Sequence, residues 1–412
     1  MVATTAGGMF MWLVHMPAQA GLPPAEYGVF LALLQFLNLM LIPAIGLQMV
    51  FAQQAAAAIR EELGRQLAHT VRRVLLGVSL IWLCMAAIVF GFRHELVSTL
   101  KIANPAALWI TVGIGLATLW LPIMQGLLQG QQNFFWLGWG QIINGCGRFL
   151  GVLLIVRVLG GWAAGAMLAA LIGFVVALVV SAWQSRALWL APGAPVNWDG
   201  WVARVVPLSL GLSASQFMLG ADQLLVQSIF DKDVTGLYGA AGMIGRGLVV
   251  FTGPLMAVMF PKIVASAARS EKTNVLAQAL GATALVGALA ALACTLLPEL
   301  PLRIIYQRLY WPIAPLVPWF AWCMLPLTLA NVLIGNLLAR ERFAAVPWLV
   351  LVAAGYGAAL MGQAGAFQAA VEAGGLFVAF KMVVRTIGVF SLLLLGVAAW
   401  FTWGKAPGRP AS

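Results

Sequence analysis

Apolar runs of about twenty residues recur twelve times along this chain with hardly a charge inside them, and that recurrence constrains the fold more than any other feature. A helix of roughly 20 residues crosses the hydrocarbon of a bilayer, and it satisfies every backbone N–H and C=O within the segment, where no water is present to do so. Of the 412 residues, 62% are hydrophobic and only 8% are charged, whereas a soluble domain has about 25% charged residues. The chain is therefore read as all-α, a polytopic membrane protein with about twelve transmembrane helices. The first six runs fall near 3–20, 28–52, 71–92, 106–128, 137–158 and 162–183. The second six fall near 204–228, 236–260, 276–298, 313–337, 344–363 and 375–402, which leaves no stretch for a sizeable soluble domain. Pro43, Pro122, Pro254 and Pro326 lie inside runs, where neighbouring helices can satisfy the backbone groups that a proline frees.

Charge supplies the topology. Lys and Arg number 23 and Asp and Glu 12, a formal charge of +11, but the cations are scattered rather than gathered into a stripe, so no nucleic-acid partner is expected. Basic residues concentrate in cytoplasmic loops. With both termini cytoplasmic, that side holds thirteen: Arg60, Arg65, Arg72, Arg73, Arg186, Arg204, Lys262, Arg269, Lys272, Arg340, Arg342, Lys405 and Arg409. The outer side holds five: Arg93, Lys101, Lys232, Arg303 and Arg308. Trp109, Trp162, Trp183, Trp201, Trp311 and Trp400 stand near run ends, as an interfacial aromatic belt requires. The first twenty residues carry no Lys or Arg, so a cleaved signal peptide is not expected.

A repeat divides the chain. Glu26-Tyr27-Gly28 precedes Pro43 as Leu237-Tyr238-Gly239 precedes Pro254, at an offset of 211 residues. Gly126-Leu127-Leu128-Gln129 with Phe134 is echoed by Asn336-Leu337-Leu338-Ala339 with Phe343. Two six-helix lobes are expected, an N-terminal one over 1–190 and a C-terminal one over 191–412. An even number of spans per lobe makes them parallel repeats about a central cavity.

Most catalytic chemistries lack their residues here. There is no GxxxxGK[ST], HExxH or GxSxG, and no GxGxxG at a strand-to-helix junction, so no catalytic residues and no enzyme are expected. His15, His69 and His94 are far apart in the order of spans, and Cys84, Cys146, Cys294 and Cys323 lie in apolar runs without a CxxC or Cys/His pairing. Neither a metal site nor a disulfide follows. A membrane glycan polymerase or ligase would need ionisable residues on a long outer loop, and no outer loop exceeds about twenty residues.

Ionisable groups inside spans are costly in hydrocarbon and usually face a bundle interior or a water-filled cavity. Arg148 lies mid-way along the fifth run, Arg246 in the eighth, and Lys381 and Arg385 are i, i+4 on one face of the twelfth. Asp222 is the one acid well inside a run, whereas Arg157 is near enough to an end to snorkel. Polar residues recur at helical spacing: Ser209, Ser213, Gln216, Gly220, Gln223 and Gln227 on the seventh run, Thr111, Thr118, Gln125 and Gln129 on the fourth, and Gln141, Asn144 and Arg148 on the fifth. Together these stripes favour an aqueous lumen over polar glue between helices. Arg148, Arg246, Lys381, Arg385, Gln141, Asn144, Gln216 and Gln223 are the expected substrate-binding residues. Asp222, about 110° around the helix from its stripe, is the candidate for ion coupling or for pairing with a neighbouring helix.

Leu22-Pro23-Pro24-Ala25-Glu26-Tyr27-Gly28, Gly126-Leu127-Leu128-Gln129-Gly130, Gly220-Ala221-Asp222, Gly236-Leu237-Tyr238-Gly239-Ala240-Ala241 and Met259-Phe260-Pro261 resemble the polysaccharide transporter family of bacterial O-antigen and lipid-linked oligosaccharide flippases. That family is related to the lipid II flippases and the multidrug and toxin extrusion transporters. A basic residue that members often carry before the Tyr-Gly motif is absent, where Gln19 and Ala20 stand. The resemblance implies two six-helix lobes around a V-shaped cavity in the bacterial inner (cytoplasmic) membrane. It implies alternating-access translocation of undecaprenyl-pyrophosphate-linked oligosaccharide for lipopolysaccharide or exopolysaccharide synthesis. Lipid-linked oligosaccharide and membrane lipid are the implied partners, with a glycan polymerase as a candidate third. No cofactor is expected beyond a coupling ion, Na+ or H+. The alternative is an ion-coupled exporter of small amphiphilic compounds, but four candidate lumen cations against one acid favour an anionic cargo.

Overall fold

The computed structural model describes residues 2–58, 60–195, 198–249 and 275–404, and among them there is no β-strand. Every expected run coincides with helix over its described part, and among the described residues eight helical segments are by themselves long and apolar enough to cross a membrane. The expected cytoplasmic stretch Lys262 to Lys272, Pro254 and Met259-Phe260-Pro261 lie outside the described residues.

The first run is broken into α1 (Val2–Leu13) and α2 (His15–Gly21). Pro17 has no N–H for the carbonyl four residues earlier, which loosens the turn at Val14. α3 (Pro24–Ala57) and α4 (Glu61–Gly91) follow. The short α5 (Arg93–Thr99) leads to α6 (Ala106–Gly130). α7 (Phe134–Val152) winds into a π-helical stretch, Leu153–Val158, before Gly160 turns the chain at φ 69°. α8 (Ala163–Gln184), the single turn α9 (Arg186–Trp189) and α10 (Trp198–Ile229) come next. After α11 (232–249 among the described residues) come α12 (Val275–Leu296) and the short α13 (Leu300–Ile305). A 3-10 stretch, Arg308–Leu316, opens α14 (Val317–Ala339), and α15 (Val346–Gly362), α16 (Ala364–Glu372) and α17 (Leu376–Trp403) complete the chain.

The chain forms two compact units: Met1–Ser209 with Asp231–Gly236, and Leu210–Phe230 with Leu237–Ser412. The boundary thus falls inside α10, whose first third belongs to the first unit. In the first unit α3 packs along α6, α6 and α7 both meet α8, and α1 lies on α7. α4 is held to α6 by indole hydrogen bonds, Trp82 Nε1 to the Val112 carbonyl at 2.8 Å and Trp120 Nε1 to Ser79 Oγ at 3.0 Å. Glu26, buried, accepts a hydrogen bond at 2.9 Å from the N–H of Ala163 and so caps α8. Arg157 donates to the Ala20 carbonyl at 3.1 Å, near the end of α2. In the second unit α14 and α17 pack together, with α12 against α14 and α15 and α16 against α17.

The outward faces are apolar. On α4, Leu76, Ile81 and Phe90 are more than half exposed, while Ala68, Val71 and Leu75 on the other face are buried. A soluble protein rarely exposes such a continuous patch, whereas a helix facing lipid requires one. The protein is a multi-pass membrane protein.

Candidate functional site

In each unit a cluster of buried polar residues draws on the first, second and fifth long helical segments of its half. In the first unit these are His15 on α2, Tyr27 on α3, and Asn144 and Arg148 on α7. Tyr27 is fully buried and its hydroxyl lies 3.1 Å from His15 Nδ1. Arg148 interacts electrostatically with His15 and stacks over Phe174 of α8, its guanidinium carbon 5.3 Å from the ring centre. It is 7% exposed, and its Nε has no hydrogen-bond partner among the described residues. Asn144 Oδ1, one turn away, is likewise buried without a partner.

Glycines make room for this arrangement. A Cβ at Gly173 of α8 would lie 2.7 Å from Arg148 Cγ and 2.8 Å from the Asn144 carbonyl, so only glycine lets α7 and its arginine approach so closely. Gly147 and Gly151 meet Gly173 and Ala169 along the same seam, and Gly140 meets Ser181. On the other side of α7, Gly7 of α1 sits against the backbone of Gln141. The Gln141 amide donates to Gln125 Oε1 at 3.1 Å, so two expected stripes, from α6 and α7, meet within one unit.

In the second unit the corresponding helices bring Asp222 (α10), Tyr238 and Arg246 (α11) and Tyr356 (α15) together. Arg246 and Asp222 form an ion pair at 2.6 Å with both side chains buried. Tyr238 donates to the same carboxylate oxygen, Oδ2, at 2.7 Å, and Arg246 Nε donates to the Leu219 carbonyl at 2.8 Å. Among the described residues, Asp222 Oδ1 and the Tyr356 hydroxyl have no hydrogen-bond partner, nor does either amide atom of the fully buried Gln223. Phe320 packs against both Tyr238 and Arg246, with Gly242 and Gly245 opening the space for it.

Lys381 and Arg385 do share a face. They flank Trp319 of α14, with Lys381 Nζ 3.8 Å and the Arg385 guanidinium carbon 5.1 Å from the ring centre. Arg385 also lines a hollow of about 270 Å³ with Gln363, Thr386 and Phe390. Gln216 is half-buried on α10. Within the second unit, therefore, the expected cations fall into two groups, one tied to Asp222 and one stacked on an indole. Trp319, Phe320 and Tyr356 were not among the expected residues, because an aromatic residue in an apolar run carries no signal beyond hydrophobicity. The repeated Tyr-Gly motif did mark Tyr27 and Tyr238.

No protein-family profile matches the sequence, and no curated protein matches it. Solved structures do. An inward-facing multidrug resistance MATE family transporter of the MOP superfamily is similar over 97% of this chain and 94% of its own, at 12% identity and a TM-score of 0.75. The lipid II flippase MurJ in an inward closed conformation is similar over 96% and 86%, at 15% identity and a TM-score of 0.68. A MATE protein in a straight conformation matches over 98% and 93%, at 14% identity and a TM-score of 0.68. The chain has their fold. Within it, an acid and an arginine on α10 and α11 neutralise each other, while Arg148 on α7 has no acidic partner among the described residues.

Proposed function

We propose that the protein is a flippase that moves undecaprenyl-pyrophosphate-linked oligosaccharide from the cytoplasmic to the periplasmic leaflet of the bacterial inner membrane by alternating access, for surface polysaccharide synthesis. The observation that carries this reading is Arg148: a buried cation with no acidic partner among the described residues, whose Nε has no hydrogen-bond partner among them. An uncompensated buried cation is strongly unfavourable, and an anionic group brought in by cargo would relieve it. Guanidinium binds phosphate oxygens through paired, charge-assisted hydrogen bonds. Beside Arg148 in the first unit, Asn144 and Gln141 are the candidate polar contacts to cargo; in the second unit the candidates are Lys381, Arg385, Gln216 and Gln223. The isoprenoid tail stays in lipid. Similarity to a lipid II flippase supports a lipid-linked cargo.

The MATE likeness supports a second reading, ion-coupled export of small amphiphilic compounds. Charge weighs against a cationic compound, because the one acid well inside a span already has Arg246 as its partner. In either reading Asp222 is the candidate coupling residue for Na+ or H+, since its Oδ1 is left without a hydrogen bond among the described residues. A glycan polymerase acting on the delivered units is the fitting partner.

Deleting the gene tests the choice. Surface polysaccharide should disappear while lipid-linked repeat units accumulate on the cytoplasmic side, and Arg148→Gln should fail to restore export. Intact polysaccharide together with new sensitivity to amphiphilic drugs would establish the exporter instead.

A further inference from the structure

One end of the second unit carries cations that the transport reading does not use. There α14 closes in the turn Arg340-Glu341-Arg342, α15 begins near Trp348, and α17 finishes at Trp403. Arg340 Nε donates to Asn336 Oδ1 at 3.0 Å. Arg342 Nη1 donates to the carbonyls of Phe401 and Thr402, each at 3.1 Å, at the C-terminal end of α17 where a cation suits the helix dipole. No ion pair joins either arginine to an acid among the described residues. These bonds hold both guanidiniums in place and leave most of their N–H groups open.

Two hollows flank the last turn of α17. One, of about 260 Å³, is polar and cationic, lined by Asn336, Arg340, Arg342 and Thr402. The other, of about 470 Å³, is apolar and lies between Trp348 and the stripe Leu392, Leu393, Trp400 and Phe401. Arg342 stands between them, since the two carbonyls it holds belong to one residue lining each. Trp348 is 54% and Trp400 73% exposed, while Leu349, Leu394 and Ala398 on the opposite faces are fully buried. The groove therefore opens outward from the bundle.

We propose that this groove binds an anionic membrane phospholipid, with Arg340 and Arg342 on its phosphate and the Trp348–Trp400 face against its glycerol and upper acyl chain. Three features point to that occupant. Exposed tryptophans set the headgroup level of a bilayer. Paired basic residues at that level select anionic headgroups, most strongly on the cytoplasmic side, which is where the basic-residue distribution places this turn. Finally, a cationic hollow beside an apolar one matches an amphiphile, whereas a free phosphate would leave the apolar half empty. The inference concerns the lipid around the transporter and stands independently of which cargo it moves.

Native mass spectrometry of the full chain in detergent, titrated with phosphatidylglycerol or phosphatidylcholine, tests it. Phosphatidylglycerol should be retained saturably, with affinity lowered about fivefold by Arg340→Gln or Arg342→Gln and about twenty-fold by both, as expected for cations near an anionic surface. Phosphatidylcholine binding should be weaker and unmoved. Arg342 also holds the end of α17, so Arg340→Gln and Trp400→Ala carry the test if Arg342→Gln unfolds; Trp400→Ala should weaken retention with both arginines present. Retention unchanged in Arg340→Gln, or equal for the two lipids, would overturn the proposal. So would displacement of phosphatidylglycerol by millimolar inorganic phosphate, or by a polyprenyl pyrophosphate at equal concentration, which would make this a phosphate site or a cargo site.

Discussion

Asp222 and Arg246 bury a charge pair whose remaining hydrogen bonds come from Tyr238 and go to the Leu219 carbonyl. Breaking such a pair from one side leaves an uncompensated buried charge and costs about 3–5 kcal/mol, whereas replacing both partners with apolar residues is often nearly neutral. Asp222→Leu and Arg246→Leu should each lower the thermal midpoint of the detergent-solubilised protein, and the double variant should recover most of the loss; additive losses would mean the two groups do not interact. Arg148 is the opposite case. With no acidic partner among the described residues and its Nε without a hydrogen bond to any of them, its replacement by Met removes a buried charge and leaves none behind, so Arg148→Met should melt at an equal or higher temperature than the parent while losing transport. A lower midpoint would show that the arginine is structural. Both arginines were legible as mid-span charges, because ionisable residues stand out in a chain with 8% charge. Their opposite situations were not, since which neighbouring helix supplies a counter-charge depends on packing between segments far apart in sequence.

At the level of helices, the approach of α7 to α8 rests on glycine. Gly173→Ala would press a methyl against the Asn144 carbonyl, which is backbone and cannot swing aside, and overpacking of this kind costs about 1–3 kcal/mol. Gly113 in α6 has open space at its Cβ position, and alanine there should be neutral or stabilising by about 0.5–1 kcal/mol through helix propensity. Comparing the melting of the two variants isolates the seam; equal effects would mean that close packing at Gly173 is not required. Helix existence was readable throughout, because an apolar run long enough to cross a bilayer has few other ways to satisfy its backbone. Helix ends were less so. α4 begins at Glu61, ten residues before its apolar run, since its first turns are amphipathic and extend beyond the hydrophobic stretch. The break at Val14 and the π-helical end of α7 also escape a hydropathy reading, which registers how apolar a segment is and not where its hydrogen bonds shift.

For the whole molecule, the repeat and the charge distribution make one joint prediction. Tyr27 and Tyr238 stand 211 residues apart, both are fully buried, and each hydroxyl meets an ionisable side chain of the preceding long segment, His15 in one unit and Asp222 in the other. Equivalent local geometry at equivalent positions is what two halves of six spans would produce. Six is even, so the loop after the second span and the loop after the tenth must emerge on the same side of the membrane. The thirteen-to-five division of basic residues predicts that this side is cytoplasmic. Reporter fusions or single-cysteine labelling at residues 65 and 341 should therefore report the cytoplasm, and at residues 101 and 308 the opposite face. One span fewer or more between residues 65 and 341 would put them on opposite sides, because each missing or additional span inverts everything after it. That single result would remove the parallel repeat, and with it the symmetry by which the His15–Tyr27 and Asp222–Tyr238 clusters are counterparts.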